Sequence, residues 1–461
     1  MLLICRRINM EQSLRWRIWF FSLNISLGVW IFGYNLGVLN PSYQEVSHAL
    51  NWGSNENFYL SLFQTLLPIG CIIGSLSTSY IANTWGRRKC VFTLSGFTIL
   101  GSLISIFPYN ATFGIGRIFS GIASGMGLSL APFYIVEICP SKMKATVGSL
   151  IHLNLALGLG LSYCLGIALP THKTSSIMKH WWQFMYLFPS FIAVYILYVF
   201  KYVHKLDTAK FYTLTLDFDK AQAALEYTFG EASNPSLLQK INIEEDKNVL
   251  TPYKELLCTK KYRLMLTVSI VLPMLEQLCG INAATFYSTK ILYDVSGDIF
   301  ISRVLTACIG ISKFFATFGI FFLVKHLGRR TILIYSLLAM GLLCVAFALF
   351  SSVLNFGVYA STIVLGLHVV VYTSSFAAIL WVYIGESVDQ KLVPVAVCSK
   401  FSFLCLITFS FPLMVQLLGI DYVFYFFAFC SCVGFVWGKL SLVETKGLSK
   451  VEIFNAYTES S

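Results

Sequence analysis

The chain has 461 residues, of which 56% are hydrophobic and 12% are charged, and its mean hydropathy is +0.71. A water-soluble protein of this size cannot bury so much apolar surface, so the composition indicates a membrane protein that crosses the bilayer many times. The net charge of +11 would also suit nucleic acid. The basic residues follow the positive-inside pattern instead, so the expected partner is the lipid bilayer and not nucleic acid.

Twelve apolar runs, each near the ~20 residues needed to cross a bilayer, predict an all-α membrane protein with twelve transmembrane helices. Every second connection is basic and shares a side with both termini, so we expect a multi-pass protein with cytosolic termini, located in the plasma membrane. The runs are 18–40, 59–83, 90–107, 111–137, 146–169 and 181–203, then 263–293, 301–325, 331–353, 357–386, 393–418 and 422–443.

A polar stretch separates the first six runs from the last six. Within it, residues 217–226 predict a short amphipathic helix that ends near Gly230. The expected organisation is a cytosolic N-terminal segment 1–17, a six-helix bundle 18–203, a cytosolic central loop 204–262 with short helices, a second six-helix bundle 263–443 and a cytosolic tail 444–461.

Three landmarks occur once in each half of the chain, at nearly constant separation. A Gly-Arg-Arg turn follows the second run, an acidic residue ends the fourth, and an acidic-then-basic cluster follows the sixth. Such ordered pairs imply a parallel repeat about an axis along the membrane normal, which is the plan of the major facilitator fold. The pairs are Gly86 and Gly328, Glu137 and Glu386, and 207–210 and 444–446.

Several motifs in order resemble those of the sugar porter family, within the major facilitator superfamily, and in particular facilitated hexose (glucose) transporters. The resemblance implies a carrier for a small-molecule solute, a sugar or polyol, with no enzymatic activity, cofactor or metal site. The matching residues are 33–38 on the first span, Gly116-Arg117, Gly121, Gly125, Pro132 and Tyr134 on the fourth, 277–282 with Tyr287 on the seventh, Trp381 on the tenth, and 444–447 in the tail.

The resemblance also implies a cytosolic gate of charged residues. Partly dehydrated opposite charges attract more strongly than exposed pairs. When the cavity faces outward, the acidic residue of one half is expected to pair with an arginine of the other. Alternatively, these charges only set the topology. The expected pairs are Glu137 with Arg329 or Arg330, and Glu386 with Arg87 or Arg88.

Asn35 in the first half bears on the transport mode. Proton-coupled sugar porters carry an aspartate where this chain has Asn35, and an amide cannot exchange a proton near neutral pH. The difference favours uniport, although Asn35 is equally explained as a residue that bonds two helices.

Arg117 lies within an apolar run, where inserting an arginine into the membrane costs roughly 2.5–3.5 kcal/mol, so it requires a partner or an interfacial position.

The sugar site is expected on the seventh span. Sugar hydroxyls are recognised by side-chain amides, and a sugar ring by an aromatic platform. Gln277 and Asn282 flank Gly280, which allows the helix to unwind so that both amides face one cavity. The alternative is that the two amides only bond neighbouring helices. Aromatic residues complete the predicted site, with Phe286 and Tyr287 as an outer cap and Trp381 as a floor or, alternatively, an interfacial anchor.

The hexose facilitators that the chain resembles carry amide side chains at three positions where this chain has charged or titratable residues. These residues are Glu276, Lys313 and His152. A lone charge at mid-membrane is unfavourable, so we hypothesise an ion pair between Glu276 and Lys313, either within the substrate site or as a structural clasp. His152 either makes transport depend on pH or serves only as a hydrogen-bonding residue.

The sequence therefore predicts a carrier that moves a hexose-like sugar down its gradient by alternating access. One alternative is a carrier of another polyol or of a charged solute, with proton coupling through Glu276, Lys313 or His152. A second alternative is a sugar-porter-like sensor that does not transport, which the short tail 444–461 disfavours.

Overall fold

The structure is a computed structural model that describes most of the chain, and the described residues form helices with no β-strand among them. It describes residues 2–139, 143–170, 180–229, 259, 262–353, 357–389, 392–448, 452–453 and 456–457. The greater part of the predicted central loop, 230–258, therefore lies outside the described residues. Helices are numbered below in chain order.

In the first half, the described residues form seven helices before the connection, of which the first two make one bent span. A break after Gly37 turns the chain by 54°. The helices are α1 (Leu2–Gly37), α2 (Leu39–Ala49), α3 (Glu56–Trp85), α4 (Arg87–Ser105), α5 (Asn110–Ile138), α6 (Lys144–Ile167) and α7 (Trp181–Tyr198), followed in the connection by α8 (Ala209–Leu214) and α9 (Phe218–Phe229). Helix α9 is the predicted amphipathic helix.

In the second half, residues 263–441 form nine helices in their described part, because three of the spans are broken in two. The helices are α10 (Arg263–Leu278), α11 (Ile281–Ser296), α12 (Ile299–Ala316), α13 (Gly319–His326), α14 (Arg329–Ala348), α15 (Gly357–Val371), α16 (Ala377–Ser387), α17 (Val393–Leu418) and α18 (Ile420–Ser441).

The predicted twelve-helix architecture is confirmed. Among the described residues, 10 helices are long and apolar enough to cross a membrane, or up to 11 with the bent pair α1–α2. Helix α4 occupies the place of the third span, and its first turn carries three consecutive basic residues, 87–89.

Two breaks in the second half lie where the sequence departs from a regular helix. Gly280 separates α10 from α11 with φ of 86°, a left-handed conformation that glycine adopts without steric cost. The unwinding predicted at Gly280 is therefore confirmed. In the tenth span, a π-helical turn at Tyr372–Phe376 joins α15 to α16. Such turns provide a local bend inside a helix.

The two halves meet along two helix pairs, α3 with α17 and α6 with α12. We call the face with the Gly-Arg-Arg turns the basic face, and the other end of the helices the opposite face. Within the first half, α3 and α5 approach so closely that a Cβ at Gly121 would lie 2.3 Å from the carbonyl oxygen of Leu67 and 2.9 Å from the Cα of Gly70. Small residues permit such backbone approach in membranes.

The close approach of α3 and α5 is tested with Gly121→Ala. We expect a loss of about 1–3 kcal/mol in unfolding free energy, since the added methyl group meets backbone atoms. Gly96→Ala is the matched control, because a Cβ there meets no atom within 4 Å and alanine favours a helix. Thermal unfolding of the purified protein measures both. Equal midpoints for the two variants would contradict the packing.

Candidate solute site and gates

At the basic face, a buried cluster joins the three sequence landmarks of the first half. Glu137 and Arg87 form an ion pair at 2.6 Å, with their side chains only 8% and 5% exposed. Asp207 accepts hydrogen bonds from the backbone N–H groups of Arg87 and Arg88 at 3.2 and 3.0 Å, and Thr208 donates to Glu137 at 2.7 Å. Free N–H groups at the start of α4 favour such a carboxylate. Burial raises the pKa of the Asp207 carboxyl group.

The second half repeats this cluster. Arg329 lies 3.5 Å from Glu386, and Glu444 accepts a hydrogen bond from the backbone N–H of Arg329 at 2.9 Å. Thr445 donates to Glu386 at 2.6 Å. In each half, therefore, the Gly-Arg-Arg turn, the acidic end of the fourth span and the segment after the sixth span form one hydrogen-bonded unit.

The second arginine of each Gly-Arg-Arg turn binds backbone at the end of the last span of its own half. Arg88 donates to the carbonyl of Phe200 at 2.7 Å, and Arg330 donates to that of Lys439 at 2.7 Å.

In this conformation the six predicted gate residues are thus bound within their own halves. The pairing expected between the halves is not found among the described residues, and it stays a prediction for a conformation closed at the basic face. Arg87 and Arg329 bind carboxylates of their own half, and Arg88 and Arg330 bind backbone carbonyl groups of their own half.

At the opposite face, three polar side chains of the first half hold α11. They are missed in the sequence reading, because polar residues inside spans do not show which helix they face. Asn40 accepts a hydrogen bond from the backbone N–H of Thr289 at 3.0 Å and donates to Ser288 at 2.8 Å. Gln64 donates to the carbonyl of Phe286 at 3.2 Å, and Tyr163 donates to that of Thr285.

An ion pair strengthens this closure. Arg303 on α12 is fully buried and pairs with Glu45 on α2. It also donates to the carbonyl groups of Pro41 and Leu169 at 3.1 and 3.2 Å. The available sequence signal is an arginine near the start of the apolar run 301–325. Among the described residues, charges of the two halves pair at the opposite face rather than at the predicted basic face.

Two predicted aromatic residues lie on the segment held in this way. Phe286 and Tyr287 are buried, and Tyr287 donates to the carbonyl of Thr408 at 2.5 Å and stacks on Phe411 with ring centroids 4.9 Å apart. Both residues therefore lie between the break at Gly280 and the opposite face, which is the position expected of a cap. Their contact with a solute stays a prediction.

The break at Gly280 brings the two predicted amides together. Asn282 donates to the side-chain oxygen of Gln277 at 3.1 Å, and both side chains are buried. The side-chain oxygen of Asn282 and the amide N–H groups that this bond does not use remain able to bind other groups.

The predicted ion pair between Glu276 and Lys313 is wrong. Glu276 instead binds the ammonium of Lys400 at 3.0 Å and the hydroxyl of Tyr372 at 2.7 Å. The Lys400 ammonium also lies 5.1 Å from the ring centroid of Trp381, a distance typical of cation–π contacts. Lys400 is missed in the sequence reading, although a lysine inside the apolar run 393–418 was a usable signal.

Lys313 and His152 lie near this ion pair from two different directions. Lys313 on α12 and His152 on α6 each interact electrostatically with both Glu276 and Lys400. Helix α6 belongs to the first half and packs against α12 of the second half, so His152 and Lys313 are carried by two helices that meet at the boundary between the halves. In the part of the chain that the structure describes, no group of three or more His, Cys, Asp or Glu side chains is placed to bind a metal ion.

Asn35 and Arg117 lie in the core of the first half. Arg117 is fully buried and donates to the carbonyl groups of Asn35 and Phe63 at 3.1 and 3.3 Å. The side chain of Asn35 donates to Ser124 at 3.3 Å. Backbone oxygens thus supply the partners that the arginine requires, without a carboxylate.

The twelve-helix fold and the polar site between its halves define a membrane transporter of the major facilitator type. The family described as "Sugar (and other) transporter" matches residues 21–457. The chain belongs to this family, whose members are carriers and not enzymes.

Relatives of the chain cover nearly its whole length. It is 26% identical to the probable metabolite transport protein CsbC of Bacillus subtilis, over 96% of this chain and 94% of that protein. It is 25% identical to the facilitated glucose transporter member 3 of solute carrier family 2 from Rattus norvegicus, over 94% and 91%. The inward-open xylose transporter XylE of E. coli shares the fold, with TM-score 0.80 and 19% identity over 95% and 99% of the two chains.

The opposite-face ion pair is tested with Glu45→Gln. Removing one partner of a buried pair costs about 3–5 kcal/mol, so we expect a shift toward a conformation open at that face. Ala284→Cys, on the buried part of α11, reports the shift as several-fold faster labelling by a thiol reagent that cannot cross membranes.

Glu56→Gln is the matched control, since the pair of Glu56 with Lys290 is longer, at 3.5 Å, and more exposed. A pair of that kind contributes about 0–1 kcal/mol. Equal labelling rates in the two variants would show that the Arg303 pair does not hold the face closed.

Proposed function

We propose that the chain is a uniporter for a hexose-sized, polyhydroxylated solute and works by alternating access. The observation that carries this proposal is the unequal closure of the two faces. Side chains of the two halves bind each other at the opposite face through α11, whereas the charges of the basic face are bound within each half. Such an arrangement suits a carrier open on one side.

The positive-inside rule supports a cytosolic basic face, and with it cytosolic termini in the plasma membrane. In that orientation the conformation is open inward. Its likeness to the inward-open conformation of the xylose transporter XylE supports the same assignment.

In the proposed cycle, the bundles 18–203 and 263–443 rock as units about the solute. Opening at the opposite face requires Asn40, Gln64 and Tyr163 to release α11, and the break at Gly280 allows α11 to tilt separately from α10. Closing at the basic face then brings the gate arginines of one half to the acidic residues of the other.

Gln277 and Asn282 are proposed to bind solute hydroxyl groups beneath the cap formed by Phe286 and Tyr287. Each hydrogen bond contributes only about 0.5–1.5 kcal/mol, so a few of them give a complex that can also be released. Trp381, which contacts Lys400 in this conformation, lies at the same site.

Uniport is supported by the surroundings of Asn35, where Arg117 donates to carbonyl groups and, within the described ranges, forms no ion pair with a carboxylate that could carry a proton. A related structure is described as a proton:xylose symporter, so coupling varies among proteins of this fold. The second candidate is a proton-linked carrier of a charged solute, which the charged groups Glu276 and Lys400 favour.

The transport mode is tested by uptake of labelled sugars, polyols and sugar acids into proteoliposomes. We expect wild-type uptake to be insensitive to a protonophore. Asn35→Asp places a carboxylate near Arg117, and we expect its uptake to rise several-fold with an inward proton gradient. Ser124→Ala removes the partner of Asn35 without adding a carboxylate and serves as control. Wild-type uptake abolished by the protonophore would contradict uniport.

The gate is tested with Arg330→Ala combined with Glu386→Gln. Loss of these charges should weaken closure of the basic face and favour the inward-facing state, because partly dehydrated pairs contribute more than exposed ones. The measurement is binding of an inhibitor that reaches the carrier only from outside, with Lys220→Asn in the exposed α9 as control. Binding unchanged from that of the control would refute the gate.

A further inference from the structure

Three helices of the second half each carry one buried or half-buried charged side chain: Glu276 on α10 pairs with Lys400 on α17 at 3.0 Å, and Lys313 on α12 interacts electrostatically with both. Glu276 is 2% exposed and Lys313 is 7% exposed. Two ammonium groups face one carboxylate, so the cluster carries one excess positive charge.

The ion pair between Glu276 and Lys400 leaves other polar groups of these three residues without a partner. Lys400 and Tyr372 both bind the same oxygen, Oε1, of Glu276. The other oxygen, Oε2, is buried without a hydrogen-bond partner. The ammonium of Lys313 makes no hydrogen bond or ion pair with any residue in the described ranges. A buried carboxylate oxygen without a partner is unfavourable, and an ammonium without a partner can donate three hydrogen bonds, so both groups can bind a further molecule.

The position of the cluster makes a solute the natural partner. Glu276 adjoins Gln277, whose amide is bonded to that of Asn282, and His152 of the first half interacts electrostatically with the same charges. The unbound ammonium is carried by α12, a helix that packs against α6 of the first half, and it interacts electrostatically with Glu276, the neighbour of the groups proposed to bind hydroxyls. Hydrogen bonds from an ammonium to a carboxylate are stronger than those between neutral groups.

We propose that the transported solute is a monosaccharide carboxylate, such as a hexuronate, whose single negative charge is bound by Lys313. Gln277, Asn282 and the free oxygen of Glu276 bind its hydroxyl groups. This inference rests on the proposed function as a carrier and names its substrate class. A single excess positive charge matches a carboxylate, whereas a sugar phosphate brings nearly two negative charges.

The test measures uptake of labelled D-glucuronate, D-glucose and D-glucose 6-phosphate into proteoliposomes, with the membrane potential clamped at zero. We expect the wild type to take up glucuronate at least about tenfold faster than glucose. One hydrogen bond between charged groups changes affinity by about this factor. Lys313→Asn should abolish this preference. Lys220→Asn removes one positive charge on the exposed helix α9 and should retain it.

Binding to the purified carrier keeps the test informative if a variant loses transport. Glucuronate should raise the thermal unfolding midpoint of the wild type and of Lys220→Asn, but not that of Lys313→Asn. A folded Lys313→Asn that still prefers glucuronate overturns the inference, as does faster wild-type uptake of glucose or of the phosphate. These results leave the carrier proposal standing, whereas no uptake of any of the three solutes overturns both.

Discussion

A charge buried in the membrane must be satisfied by groups of the protein, and this constraint organises the molecule. Arg117 is bound by carbonyl groups of the first half, and Arg303 by carbonyl groups and a carboxylate across the boundary between the halves. Glu276 is bound by a lysine and a tyrosine. Lipid tails and apolar side chains are equally apolar, so the hydrophobic effect does not fix how helices are aligned in a membrane. The bonds of these charged groups fix that alignment.

The repeat assigns different tasks to the two faces. At the basic face, each half forms its own hydrogen-bonded unit around a helix N-terminus, with no ion pair to the other half among the described residues. At the opposite face, the halves depend on each other through α11 and Arg303. A carrier that alternates needs both kinds of contact, since a face that is open must still be stable by itself.

The second half combines irregular backbone with buried charges. Its spans are broken at Gly280 and at the π-helical turn Tyr372–Phe376, and the turn supplies Tyr372 to the buried carboxylate of Glu276. Irregular backbone within a membrane is stable where it lines a polar cavity between helices. The irregular spans and the unusual charges are thus parts of the same site.

The sequence by itself determined the number and order of the helices, the repeat, the break at Gly280 and the family. These follow from local features, namely the length of apolar runs, the backbone freedom of glycine and motifs in a fixed order. It did not determine the partners of the charges. Glu276 binds Lys400 rather than Lys313, and the gate residues bind within their halves. Only the tertiary structure decided these pairs, because they depend on how helices distant in sequence are rotated and aligned against one another.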